Sequence, residues 1–162
     1  MPTFSFNNSL AGTEQALSTS YKTIVGVTAL TGAGSLRRGW LYEFEIGADA
    51  SPNTTDCPIM YNIQVQTAAG TATSITPNPT DVGGGDAAAQ LNYFANATVE
   101  GTYLAASSLF YLGLNQRASQ KQAFRDEKSS LIVPAVNLKG LVMTAKSPNY
   151  VGTVSWQCYI SE

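Results

Sequence analysis

Apolar and polar side chains alternate in two consecutive stretches of the chain, residues 40–48 and 59–66. In each stretch every second side chain is apolar, which is the period of a strand with one buried face. The predicted inward side chains are Trp40, Tyr42, Phe44, Ile46 and Ala48 in the first stretch and Ile59, Tyr61, Ile63 and Val65 in the second. The polar connection between the stretches is too short for a parallel crossover, so we expect an antiparallel pair.

Short strand-like segments recur along the rest of the chain. β-Branched or alternating residues predict strands at 20–30, 98–104, 108–115, 131–133, 140–145 and 150–160. Leu109 and Tyr111 lie opposite the inward face of their segment, which indicates a strand covered on both sides or by a neighbouring subunit. With roughly eight or nine strands and no convincing helix, the chain is predicted to be all-β, a two-sheet antiparallel β-sandwich that is jelly-roll-like.

Three segments interrupt this pattern. Residues 1–19 are polar with two spaced aromatics, and we expect an N-terminal arm or edge segment ahead of a single sandwich domain at residues 20–162. Residues 67–96 are rich in Ala, Thr, Gly, Pro and Asp and predict a long contact loop with one short strand near residues 73–76. Residues 116–129 place three cations at helical spacing beside few apolar residues, so an exposed loop or a single turn is expected.

Composition favours an assembly protein. Charged residues make up 12% of the chain, against roughly 25% in average soluble proteins. Such a deficit is typical of surfaces that meet other subunits, and secreted β-domains show it as well. The net charge of −2 gives no electrostatic footprint for nucleic acid or an anionic membrane, so neither is an expected partner. The N-terminal residues do not resemble a signal peptide and no apolar run has the length of a membrane span, so synthesis in a cytoplasm is expected.

The chain contains no histidine, which removes the usual triads and imidazole metal sites. Glu43 and Glu45 share one strand face and could act as a glycosidase pair, but solvated charges are the expected role. Asp81 and Asp86 flank a glycine run without matching a calcium loop. We therefore predict no enzyme activity, no cofactor and no metal. Cys158 is in phase with the buried face of the last strand, and whether it pairs with Cys57 is left open.

Side chains that are out of phase with the predicted core are the candidate contacts with a capsid or another subunit. Tyrosine and arginine are enriched where proteins meet, and a basic loop can touch an acidic partner surface. The candidates are the aromatics Phe4, Phe6, Tyr93 and Phe94 and the basic residues Arg117, Lys121, Arg125 and Lys128.

The order of several short motifs resembles a known class of proteins. The motifs are Lys22-Thr23-Ile24-Val25, Arg38 before Glu43-Phe44-Glu45-Ile46, Gly70-Thr71-Ala72-Thr73, Thr76-Pro77 with Asp81, Ala87-Ala88-Ala89, Ile132-Val133-Pro134, Lys139-Gly140-Leu141, Ala145 with Pro148, and the final strand from Trp156 to Ile160 before Ser161-Glu162. From about residue 21 onward this sequence is similar to small β-sandwich proteins of tailed-phage virions, in particular the capsid decoration (cement) proteins of jelly-roll type.

The resemblance implies a non-enzymatic protein on the outside of an icosahedral head. Such proteins usually form homotrimers at threefold positions, and they clamp neighbouring copies of the major capsid protein against internal pressure. The partners implied are the major capsid protein and further copies of this chain, and the location implied is the virion exterior. Two alternatives stay open: a carbohydrate- or receptor-binding β-sandwich of a tail fibre or spike, and a polysaccharide-degrading enzyme that uses Glu43 and Glu45.

Overall fold

The computed structural model describes residues 1–29, 37–81, 88–126 and 128–162. These residues form twelve strands and one short 3-10 helix. The strands are β1 (Thr3–Asn7), β2 (Lys22–Ala29), β3 (Gly39–Ala48), β4 (Pro58–Ala68), β5 (Thr71–Ile75), β6 (Asn78–Pro79), β7 (Leu91–Val99), β8 (Thr102–Asn115), β9 (Gln120–Ala123), β10 (Leu131–Val133), β11 (Gly140–Lys146) and β12 (Val154–Ser161), and the helix is Asn8–Ala11.

The strands pair into two sheets that pack face to face. The first sheet has the order β10-β3-β12-β1-β6, with β9 pairing to β3 as well. The second sheet has the order β5-β7-β2-β11-β4-β8. All strand pairs are antiparallel. The predicted two-sheet antiparallel β-sandwich is therefore confirmed.

Aromatic side chains from both sheets meet in the core. Trp156 of the first sheet lies 5.5 Å from Tyr61 of the second sheet and 5.9 Å from Phe44, measured between ring centroids. All three rings are fully buried. Alternate residues of β12 are buried along its whole length, as the sequence predicts, and Cys158 is among them. Both cysteines are buried and free, so they do not form a disulfide.

The alternating stretches at residues 40–48 and 59–66 are strands, but the expectation that they pair is wrong. β3 lies in the first sheet and β4 in the second, so residues 49–57 cross from one sheet to the other. The neighbours of β4 are β8 and β11. Alternation predicts that one face of a strand is buried, but two such faces can meet across a sandwich core as well as side by side in one sheet.

A β-bulge changes which residues of β3 lie in the core, so the predicted core is partly wrong. The register against β12 shifts at Tyr42, because Tyr159 pairs with Glu43 whereas the next residue pairs with Leu41. One extra residue in a strand reverses the phase of its side chains. Leu41 is consequently buried, whereas Trp40 and Tyr42 are half-exposed rather than core residues. Phe44 and Ile46, on the other side of the bulge, are buried as predicted.

The N-terminal segment is part of the sandwich and not an arm. β1 lies between β12 and β6 in the first sheet, and its alternate side chains Phe4 and Phe6 are buried in the core. Leu17 is also buried, and its main-chain N–H donates to the carbonyl of Gly152. Two aromatics at a spacing of two residues are enough for a strand when a partner strand from the far end of the chain supplies the pairing.

The predicted long loops also contain strands. Within residues 67–96 the structure has the end of β4, then β5 and β6, and the first part of β7. The glycine run at 83–85 and Asp86 lie outside the described residues. Residues 116–129 contain β9, which pairs with β3. β5, β6 and β9 are short and polar, and each lies at a sheet edge, where one side faces solvent, so they lack the apolar pattern of a core strand.

Candidate assembly surface and cavity

The longest strand of the second sheet lies at its edge. β8 has 14 residues, and β4 is its only strand neighbour in the described part of the chain. Phe110, Leu112 and Leu114 face the core and are partly buried. On the outside, Leu104, Leu109 and Tyr111 are 52%, 46% and 58% exposed, and together they are called the β8 surface below. Residues 101–116 contain no charged side chain, so this surface is uncharged.

The other edge strands carry the features that normally prevent edge-to-edge association. β6 ends at Pro79, and the three residues of β10 are followed by Pro134. β9 carries Lys121, and β5 has only five residues. Prolines, lysines and short strands all protect an edge, whereas β8 is long and lacks both proline and lysine. Among the described strands, β8 is therefore the best suited to pair with another chain.

The two halves of β8 differ in regularity. From Asn115 to Phe110 it pairs residue by residue with β4 from Pro58 to Ile63. Nearer its start the register shifts three times, and Ala106 has a φ of 59°, a left-handed conformation that costs a non-glycine residue about 1–2 kcal/mol. Only the regular half, which includes Tyr111, offers a straight row of unpaired main-chain groups.

The predicted basic contacts are on the surface, and two of them pair within the chain. Arg117 Nε lies 2.8 Å from Asp56 Oδ1, and this bond lowers the pKa of Asp56. Lys121 Nζ lies 2.7 Å from Glu43 Oε1, and that carboxylate raises the pKa of Lys121. Arg125 and Lys128 are exposed. The pair at Glu43 also occupies one of the two carboxylates that were considered as a glycosidase pair.

Three of the four predicted aromatic contacts are not on the surface. Phe4, Phe6 and Tyr93 are buried, and the Phe6 and Tyr93 rings meet edge to face at 4.8 Å. The prediction that they contact a partner is therefore wrong, because strands from distant parts of the chain cover them. Phe94 has the opposite orientation to Tyr93 on β7, is half-buried, and lines a cavity.

This cavity of about 190 Å³ lies on the outer face of the second sheet. The ring of Phe94 covers Gly26 of β2 so closely that a Cβ at that glycine would lie 2.4 Å from Cζ of the ring. Thr23, whose hydroxyl bonds to Glu100, borders the space together with small residues. Four further uncharged polar side chains, from four different strands, complete the border. They are Thr28, Gln66, Ser74 and Asn92.

A hydrogen-bonded network holds the cavity wall in place. The Glu100 carboxylate accepts bonds from the main-chain N–H of Thr23 at 3.0 and 3.1 Å and from the Thr23 hydroxyl at 2.6 Å. The Tyr103 hydroxyl donates to the same carboxylate at 2.5 Å, and burial together with this carboxylate raises the pKa of Tyr103. The network ties the turn between β7 and β8 to the start of β2. Beside it, Gly101 packs against Gln66, with its Cβ position 3.2 Å from Gln66 Oε1.

Only some of these features can be predicted from the sequence. Leu109 and Tyr111 are recognisable as apolar residues on the wrong face of a strand. Leu104 and the cavity are not, because the bulges in β8 and the meeting of four strands depend on the three-dimensional pairing. Among the described residues, no group of acidic, cysteine or histidine side chains could hold a metal ion, and no helix is long and apolar enough to cross a membrane.

No family model, curated protein or solved structure matches the chain.

Proposed function

We propose that this protein is a non-enzymatic structural protein of a phage virion, which binds the outer surface of the capsid as a decoration (cement) protein and acts as a homotrimer. The observation that carries the proposal is the uncharged and exposed β8 surface on a sandwich whose other described edges are protected. The expected partners are the major capsid protein and further copies of the chain. The low charge of the whole sequence agrees with a surface that is used for contacts.

The size of the β8 surface sets the strength of a single contact. About half of each of its three side chains is exposed, so covering them removes roughly 250 Å² of apolar area, worth about 6 kcal/mol. Association costs about 4–15 kcal/mol in lost freedom, so a single contact of this size is weak. Repetition on a symmetric lattice compensates, because linked contacts act at a high effective concentration. A small adhesive protein that works in many copies fits this arithmetic.

The proposal is tested by measuring the mass of the protein in solution and its co-sedimentation with expanded capsids. We expect a trimer that sediments with the capsids. Leu109→Lys places a charge in the β8 surface and should weaken both assembly and capsid binding at least about tenfold. Val151→Lys is the matched control, because Val151 is 73% exposed and lies outside β8, and it should change neither property.

Two results would contradict the proposal. A wild-type protein that is monomeric and stays in the supernatant has neither of the expected partners. Specific binding to a glycan array, without affinity for capsids, would instead favour the carbohydrate- or receptor-binding interpretation.

A further inference from the structure

The cavity on the second sheet is bordered by hydrogen-bonding groups that no other described residue uses. Gln66 is 2% exposed and Thr28 is 5% exposed, and both border the cavity. Asn92 is half-exposed and Ser74 is exposed, and both also border the cavity. Among the described residues, none of these four side chains hydrogen-bonds to another group, and their polar atoms are not sealed off in the interior. They are therefore free to bond to a molecule in the cavity.

The chemistry of the lining selects a neutral ligand. The described lining residues carry no charge, and the nearby Glu100 carboxylate is already engaged by Thr23 and Tyr103. A side-chain amide offers a donor and an acceptor side by side, and a hydroxyl can act as either. Two amides and two hydroxyls around one cavity therefore match a molecule that itself carries several hydroxyl groups.

The shape of the cavity narrows the choice further. Phe94 supplies a flat apolar wall, against which the C–H face of a sugar ring can pack. The volume of about 190 Å³ is well below the roughly 300–1,000 Å³ of sites for drug-sized ligands, so the space admits one ring rather than several.

The walls are rigid, which favours binding over collapse. A Cβ at Gly70 would lie 2.1 Å from the carbonyl oxygen of Val99, so the turn after β4 is in close contact with the end of β7. Leu138, also in the lining, has a φ of 62°, and such strained residues persist only where their surroundings hold them. The cavity is therefore a fixed part of the fold.

We propose that this cavity binds one neutral sugar residue, with Gln66 and Asn92 bonded to its hydroxyl groups and Phe94 packed against its ring. This site is separate from the β8 surface and does not depend on the proposed function. The sugar can be free or can be the terminal residue of a glycan, and the chemistry at the cavity is the same in both cases.

The experiment is a titration of the ¹⁵N-labelled protein with single neutral sugars, namely glucose, galactose, mannose and N-acetylglucosamine, followed by NMR. At least one sugar should shift the side-chain amide signals of Gln66 and Asn92, with a dissociation constant of about 1 mM as expected for a single small ring. A matching oligosaccharide that ends in the same sugar separates the two sources, because a terminal residue would bind at least as tightly as the free sugar.

Two variants and a control locate the binding. Asn92→Ala removes one hydrogen bond to the sugar, and Phe94→Leu removes the packing of the ring against it. Each variant should weaken binding about tenfold. Gln122→Ala changes a half-exposed amide on β9 of the other sheet and should have no effect. The proposal is overturned if no sugar shifts either amide signal, if binding survives both cavity variants unchanged, or if adenosine occupies the cavity while every sugar fails.

Discussion

Glu162 follows β12 of the first sheet, and its carboxylate bonds to residues at the start of β7 in the second sheet. It is buried, and its Oε2 accepts the main-chain N–H of Gln90 at 2.6 Å. Its Oε1 accepts the N–H of Leu91 at 3.4 Å and the hydroxyl of Tyr93 at 2.5 Å. We predict that Glu162→Gln, which keeps the size of the side chain but removes its charge, destabilises the protein.

The magnitude follows from the three bonds. A hydrogen bond to a charged group contributes about 1.5–3 kcal/mol, and a glutamine must turn its NH₂ group toward at least one of the three donors. We therefore expect Glu162→Gln to lower the free energy of unfolding by about 3 kcal/mol. In a domain of this size each kcal/mol corresponds to about 2–4 °C, so the melting temperature should fall by about 9 °C.

Urea denaturation and thermal melting measure this effect. Tyr93→Phe removes only the hydroxyl and should lower the free energy of unfolding by about 1–2 kcal/mol. The double variant should lose less than the sum of the two single variants, because the two groups share a bond. Glu45→Gln is the control, since Glu45 is exposed, and it should stay within about 0.5 kcal/mol of wild type. An equally small change in Glu162→Gln would refute the role of the carboxylate.

Three further predictions concern stability, and urea denaturation measures each of them. Ala106→Gly should raise the free energy of unfolding by about 0.5–1 kcal/mol, because glycine adopts the φ of 59° without strain. Gly140→Ala should lower it by at least about 3 kcal/mol, because the new Cβ would lie 2.0 Å from the carbonyl oxygen of Val27. Above about pH 10 the free energy of unfolding should fall. Burial raises the pKa of three tyrosines in the folded protein, so the unfolded chain loses these protons at a lower pH. For each tyrosine the free energy of unfolding then falls by up to about 1.4 kcal/mol per pH unit. These tyrosines are Tyr61, Tyr93 and Tyr103.

The sequence predicts where individual strands lie better than it predicts which strands pair. Alternation predicts both β12 and its buried face, because it continues without a bulge through the residues that pack into the core. In β3 the same alternation gave the wrong core residues before the bulge, since nothing in residues 40–42 indicates that the partner strand skips one of them. Pairing depends on chain segments far apart in sequence, as with β1 and β12, and local patterns do not encode it.

The two candidate sites also differ in whether they can be predicted from the sequence. Leu109 and Tyr111 could be found from the sequence because they break a local pattern on one strand. The cavity could not, because Thr28, Gln66 and Asn92 lie on three strands and come together only through sheet pairing. Each of these residues looks like an ordinary polar position in the sequence.

The distribution of charged side chains along the sequence affects how copies of the chain would assemble. Charged side chains are absent from several stretches, among them residues 57–80 and 101–116, and Arg117, Lys121 and Arg125 follow the second of these. Lys121 lies on β9 at the edge of the first sheet, where a charge opposes pairing with another strand. Low charge over a whole surface would promote association in any orientation. β8 combines the absence of charge with a long edge that lacks proline and lysine, which directs association to one edge, as a closed and symmetric assembly requires.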